Sequence, residues 1–380
     1  MISEMEKATA VLLLLLVTGG AGISLRCAAP IPASVNAGST FRAAVLFPHR
    51  GAALAATRPS LRSVQGHGRA RSLSMGAGGP AFVSITSTTN ALAKKFVRLR
   101  DQARFRRTEG SAVVVGSAPI RELCGPGGGA RDGLRSLLLL EEDPGDPWHS
   151  DFVAALDGPP NVVHVVTPDL FRKIAGIENA EGRQAAAEIA LPAFQTVSSI
   201  VRGVGSSGVG VVVLDRVQDP GNVGALLRTA AGLGWACVVL EGCCDIFNDK
   251  VIRAARGAAW RVPLAQSSLA GLCDAVSLPV SLAASSGEGL APLATGQCHV
   301  WVADMGGCDP AVARKRSGAD PIVLLLSNEG AGVSEAVRER VDRGLWSRVG
   351  VPLVGDMESL NVAIAGSILM FALRGSTQEN

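Results

Sequence analysis

The stretch Val209-Gly210-Val211-Val212-Val213-Leu214 does most to restrict how this chain can fold. It has no polar break, so it cannot place one face in water and the other in a core. A strand of this kind is buried on both faces, as in a parallel sheet covered by helices. A helical segment, Val223 to Leu233, follows it, and then a second apolar strand, Cys237 to Leu240. Further strands are expected at Val280 to Ala283, Val300 to Ala303 and Ile322 to Leu326. Strands alternating with helical segments predict a doubly wound α/β domain with helices on both faces of a parallel sheet. The domain closes with Val351 to Leu373, in which a Pro352/Gly355 turn and two acids, Asp356 and Glu358, lead into a run apolar on nearly every face. That run, about 14 residues from Leu360, is too short to span a bilayer, which takes roughly 20, and belongs in a core. Ser359 is the expected N-cap. Asn361 is then an amide just inside the first turn, placed either to satisfy backbone groups or to face a site.

The first half reads differently. With 380 residues there is room for two domains and a leader. The net charge of +3 argues neither for nor against nucleic acid, but its distribution is informative. No Asp or Glu occurs between Lys7 and Arg100, while arginines punctuate Ala, Ser and Gly, as in an organellar transit peptide. Ahead of this lies Val11 to Val17, resembling the apolar core of a secretory signal. The combination resembles a bipartite plastid presequence over residues 1–80, with a mitochondrial leader as the alternative. Leu92, Phe96, Leu99 and Ala103 then recur at helical spacing, with Lys94, Lys95, Arg98, Arg100, Arg104, Arg106 and Arg107 on the other faces. Such a basic face is either merely solvated or a contact for an RNA backbone. Val113 to Val115, Leu134 to Leu140 and Val162 to Val166 read as strands, giving a small α/β domain over 81–196. A Gly/Ser-rich linker is expected at 197–208, and the second domain over 209–376.

Two familiar patterns lead nowhere. None of the eight cysteines forms a C-x-x-C pair, so buried thiols rather than a metal site are expected. Gly203 to Gly208 matches G-x-G-x-x-G, but the dinucleotide fingerprint needs a strand before it and a helix after it. Here the strand follows.

Three other stretches share one context, the exit of an apolar strand. Asp219-Pro220-Gly221-Asn222-Val223-Gly224 is turn chemistry opening a helix that carries Arg228. Ser327-Asn328-Glu329-Gly330-Ala331-Gly332 follows Ile322 to Leu326, its glycines permitting close backbone approach to a ligand. Ser359-Leu360-Asn361 is the third. The carboxyl ends of strands are where α/β sheets bind ligands.

In this order the three stretches resemble the motifs of the SpoU/TrmH family of RNA 2′-O-ribose methyltransferases, over Val209 to Leu373. Asp245 to Ala254 is similar to the segment after the family's first motif, and Ile85 to Gly116, more weakly, to its N-terminal substrate-binding domain. The resemblance implies a C-terminal deep trefoil knot and S-adenosylmethionine as cofactor, held by Ser327, Asn328, Gly330, Val351, Pro352 and Leu360. It implies transfer of a methyl group to a ribose 2′-hydroxyl, with Arg228 as base or phosphate clamp and Asn222, Glu329, Ser359 and Asn361 positioning the reactants. Lys94, Lys95, Arg98, Lys250 and Arg253 are the implied RNA contacts. Ribosomal RNA is preferred to tRNA as substrate, a homodimer is implied, and no membrane association is expected of the mature chain. A non-catalytic RNA-binding or ribosome-assembly factor on the same fold is the alternative from another class.

Overall fold

The structure, a computed structural model, describes residues 72–73, 80–141, 146–179, 182–207, 210–277, 298–328, 332–355 and 357–374. These form two six-stranded sheets. The first is built from β1 (Ser72–Leu73), β2 (Ala81–Ile85), β3 (Ser111–Val115), β4 (Leu134–Leu140), β5 (Val162–Val166) and β6 (Ala185–Ala190). Its order is β1-β2-β5-β4-β6-β3, with β2, β5 and β4 parallel and the remaining pairs antiparallel. Helices α1 (Ala91–Asp101), α2 (Ala103–Glu109), α3 (Ser117–Cys124), α4 (Trp148–Ala154) and α5 (Pro168–Ala175) connect and cover it. Strands β4 and β5 have the expected bounds. Three strands, β1, β2 and β6, were not legible. The alanines of β6 favour helix by propensity, but the strand is buried along nearly its whole length, and burial overrides the preference. β1 lies inside the segment expected to be presequence and pairs with β2 through Ser72 and Leu73.

Glu188, in the middle of β6, is fully buried. It accepts from Ser111 Oγ at 2.8 Å and Ser136 Oγ at 3.2 Å, and Lys95 Nζ lies 2.7 Å away. A buried carboxylate persists only when paired and hydrogen-bonded in this way. Lys95, expected on an RNA-facing surface, is therefore committed to Glu188 and to Glu109 at 3.4 Å. Arg106 departs from that surface too. It is 2% exposed, donates to the carbonyls of Leu99 and Arg100 at 2.7 Å each, and pairs with Asp245 at 2.5 Å. Lys94 and Arg98 remain exposed, Arg98 stacked 3.9 Å over the ring of Phe105.

The stretch expected to be a linker is a helix, α6 (Val197–Ser207). Its Val197, Ile200, Val201 and Val204 recur at helical spacing and are buried against the second sheet. Its glycines and serines are typical of a linker, but the apolar stripe is what decides the conformation.

The second sheet comprises β7 (Val211–Asp215), β8 (Ala236–Leu240), β9 (Leu264–Ser267), β10 (His299–Cys308), β11 (Ile322–Ser327) and β12 (Ser347–Val349). All its pairings are parallel, in the order β12-β10-β11-β7-β8-β9. Its other helices are α7 (Pro220–Leu233), α8 (Asp249–Ala255), α9 (Leu269–Ser277), α10 (Pro310–Ser317), α11 (Glu335–Asp342) and α12 (Val362–Leu373). β7 is buried at every residue, as its composition requires. The strand expected at Val280 to Ala283 lies outside the described residues. After β12, at the sheet edge, the chain returns past β10 so that α12 packs on α7, α10 and β11. Gly366 permits this packing: a Cβ there would meet Leu326 Cδ1 at 2.5 Å and Leu226 Cδ2 at 2.6 Å.

One continuous apolar core runs between residues of both sheets. Besides Arg106–Asp245, Trp260 Nε1 donates to the carbonyl of Ala190 at 2.7 Å and Arg261 to that of Glu122 at 2.8 Å.

Candidate active site

α12 begins one residue pair later than its sequence suggests. Its N-cap is Asn361, not Ser359: Asn361 Oδ1 accepts from the amides of Ala363 at 2.9 Å and Ile364 at 3.4 Å. The amide is therefore not inside the helix, and it has a second task. Its Nδ2 donates to Oδ1 of Asn222 at 3.0 Å. Asn222 in turn is not a cap. Asp219 caps α7, accepting from the Asn222 amide at 2.8 Å, with Pro220 in the first turn where no donor is required. Thr229, seven residues on and hence on the same stripe of α7, meets Ser367 of α12 with hydroxyl oxygens 3.0 Å apart. Ser367 already donates its proton to the carbonyl of Ala363 at 2.7 Å, so Thr229 is the donor. Two polar contacts a heptad apart thus fix the first and third expected motifs to one another.

The second motif is anchored from β7. Asp215 is 5% exposed and pairs in register with Ser327, whose hydroxyl donates to Asp215 Oδ2 at 3.4 Å. The next residue, Arg216, takes a left-handed backbone conformation with φ of 55°. This turns its guanidinium to donate to the carbonyl of Gly332 at 2.8 Å, 3.4 Å from Asp215. The two strand exits and Gly332 are tied together.

Between these anchors lies a cavity of about 300 Å³. Ser327, Asn328, Val351, Ser359 and Leu360, all singled out from sequence, line it. Pro352 is exposed and does not. Glu329 and Gly330 lie outside the described residues. The walls are mainly apolar, with Leu326, Val349, Leu353, Val362 and Leu369. Sequence reasoning missed Ala303, Asp304 and Met305, which continue β10 to the cavity. The signal was available, since Ala303 ends an expected strand and Asp304 and Met305 directly follow it. Asp304 is the one charged group among the described lining residues, its Oδ2 4.0 Å from Arg348. Gly350 is also unpredicted: a Cβ there would stand 2.6 Å from the carbonyl oxygen of Asp304.

Arg228 is not among these residues. It projects from the exposed face of α7, one position and about 100° round the helix from Thr229, into a separate cleft with Arg256 and Arg261. Arg253 is held by Asp249 and reaches the carbonyl of Ala175 at 3.5 Å, whereas Lys250 is exposed. Burial pushes the Cys124 and Cys244 thiols up to about 11 and raises Cys237 further, so these three offer no nucleophile near neutral pH.

This arrangement has close counterparts. The chain is similar to the 23S rRNA (guanosine(2553)-2′-O)-methyltransferase of Bacillus subtilis, with 36% identity over 43% of this chain and 58% of that protein. It is 28% identical, over 77% of its length and 94% of the relative, to an uncharacterised tRNA/rRNA methyltransferase of Synechocystis. Among solved structures, an S-adenosylmethionine-bound rRNA methyltransferase of Sinorhizobium meliloti superposes with a TM-score of 0.59 at 22% identity, covering 77% of this chain and 97% of that one. The SpoU methyltransferase AviRb of Streptomyces viridochromogenes gives 0.58 at 23%, over 75% and 97%. These two share the fold. The family model described as SpoU rRNA Methylase matches residues 210–371, the segment that builds the second sheet, the Asn222–Asn361 contact and the cavity.

Proposed function

We propose that this protein methylates a ribose 2′-hydroxyl of RNA with S-adenosylmethionine, and that its substrate is ribosomal RNA. One observation carries the reading: Ser327, Asn328, Val351, Ser359 and Leu360 converge on one cavity, beside the amide pair Asn222–Asn361. The cavity suits the cofactor chemically. Apolar walls receive an adenine and the methylene groups of the methionine chain, and Asp304, the one charge among its described residues, complements the sulfonium cation. Bound there, S-adenosylmethionine would supply an electrophilic methyl group on a positively charged sulfur.

A ribose hydroxyl is a weak nucleophile, so the protein's part is to align it and ease the loss of its proton. Asn361, locked by its cap bonds and by Asn222, holds a rigid amide between the cavity-lining residues Leu360 and Val362. Arg228 supports the phosphate-clamp reading. A guanidinium stays protonated at physiological pH, and Arg228 shares its cleft with two further arginines. A clamp on the RNA backbone would present the 2′-hydroxyl, a group DNA lacks.

Ribosomal RNA is favoured over tRNA because the Bacillus subtilis relative is named for a 23S rRNA guanosine. The return of the chain past β10 to α12 supports the knotted path, and the exposed Ile364, Ile368 and Phe371 support a homodimer. The acid-free, basic segment before residue 100 supports plastid import. Calorimetric titration with S-adenosylmethionine tests the enzyme reading, with no binding heat sinking it. Mapping of 2′-O-methylated nucleotides in organellar rRNA and tRNA after loss of the protein tests the substrate.

A further inference from the structure

The cleft that holds Arg228 is distinct from the cofactor cavity and has its own chemistry. It encloses about 320 Å³, and its charged lining is Arg228, Arg256, Arg261 and Glu122. The three cations come from three segments: the exposed face of α7, the C-cap of α8, and the residue ending the 3-10 turn Ala258–Trp260. The carboxylate comes from α3, in the other half of the molecule. Glu122 lies 3.9 Å from the guanidinium of Arg256 and 3.8 Å from that of Arg261, each half-exposed. One carboxylate at such distances leaves an excess of two positive charges facing the cleft. Arg228 has no ion pair among the described residues.

The backbone indicates that Arg256 is held there for its side chain. It occupies the left-handed C-cap of α8, with φ of 50°. Glycine takes that conformation at no steric cost, whereas a side chain costs about 1 kcal/mol or more. Between the arginines the walls are small: Ala231, Gly232, Ala255 and Ala258. A bulky tetrahedral anion has room to approach the planar guanidinium groups, whose fork geometry matches phosphate oxygens.

We infer that Arg256 and Arg261, with Arg228, form a subsite for backbone phosphates of the RNA substrate, and that Glu122 is its resident counter-ion, displaced when the strand binds. The inference deepens the proposed function, on which it rests for the identity of the polymer. Glu122 gives it a sign that a structural ion pair would not have. If the cluster served only to join the two halves of the molecule, neutralising any member would weaken the protein. If it binds phosphate, neutralising Glu122 strengthens RNA binding.

The test is fluorescence anisotropy of the full chain with a labelled single-stranded oligoribonucleotide of about 20 residues, titrated between about 50 and 200 mM salt. Arg256→Gln and Arg261→Gln are each expected to weaken binding several-fold and to lower the slope of log K against log salt by about 0.7. Arg256→Lys should restore the slope, and Glu122→Gln should tighten binding several-fold. Unchanged slopes in the two glutamine variants, or weaker binding by Glu122→Gln, would overturn the proposal. Melting temperature and S-adenosylmethionine heat are read in parallel as checks on folding. Absence of that heat in the parent chain counts against the enzyme reading alone, because the salt slopes stay measurable without cofactor.

Discussion

Asn361 Nδ2 donates to Asn222 Oδ1 across 3.0 Å, joining residues 139 positions apart at the first turns of α12 and α7. The same Asn361 side chain caps α12, so one residue carries a local and a long-range duty. The duties are separable by substitution. Asn361→Ser retains an oxygen able to cap but loses the donor to Asn222, whereas Asn361→Ala loses both. The alanine variant should melt lower, reflecting about 1 kcal/mol for a lost N-cap. The serine variant should keep its melting temperature yet lose methyl transfer by about 10²-fold, the scale of a mispositioned reactant. Calorimetry and a single-turnover methylation assay read the two separately. Equal melting losses in both variants would place the stability in the Asn222 contact rather than the cap, and full methyl transfer in the serine variant would show that the amide matters for its cap alone.

A second prediction concerns the approach of α7 to α8. A Cβ on Gly224 would stand 2.5 Å from Ala254 Cβ and 2.8 Å from the carbonyl oxygen of Val251. Neither neighbour is a flexible side-chain end, so the helices themselves must part. Gly224→Ala should destabilise the protein by about 1–3 kcal/mol, the range for overpacking, despite alanine's better helix propensity. Chemical denaturation measures this directly. A gain in stability would mean that the two helices separate freely.

Much of the catalytic half was legible because its signals are local. Continuous apolar strands announce a parallel sheet, and turn residues at their exits announce loops. Ser327, Val351 and Leu360 can be assigned to one site from sequence only through the resemblance of their stretches to the family's motifs. What was missed depends on partners distant in sequence. Nothing near Lys95 says that Glu188 will be buried beside it, and nothing near Arg106 says that Asp245 will face it. The alanines of β6 form a strand because of what packs on them. Arg228 also exposes a limit of spacing arguments. Six positions separate it from Asn222, which rotates its side chain to another face of α7 and into another cleft.

The outward stripe of α12 leads to a third prediction. Ile364, Ile368 and Phe371 are 55%, 40% and 58% exposed, spaced to share one helical face, while Val362, Leu369 and Met370 are buried on the other. Contiguous apolar surface of this kind marks an interaction site, and a second copy is the proposed occupant. Ile368→Glu should convert a dimer to a monomer by light scattering at micromolar concentration. The buried face is untouched, so the monomer should still unfold cooperatively. An unchanged mass would assign the stripe to some other contact.

A last prediction follows from His164, on β5 between Val83 and Leu138 in the register of the first sheet. Its Nδ1 is buried without a hydrogen-bond partner, and burial lowers its pKa below the usual histidine value. The unfolded chain, in which the imidazole is solvated, therefore binds a proton more readily than the folded one. Stability from this residue is complete above about pH 6.5, the unfolded value, and declines as the pH falls from there toward the lower folded value. Denaturant midpoints measured from pH 8 down to pH 5 should fall accordingly, and His164→Leu, which cannot take up a proton, should flatten that part of the profile. The comparison of slopes is decisive, because a packing defect would lower the midpoint equally at every pH, whereas a buried titrating imidazole affects only the acidic side.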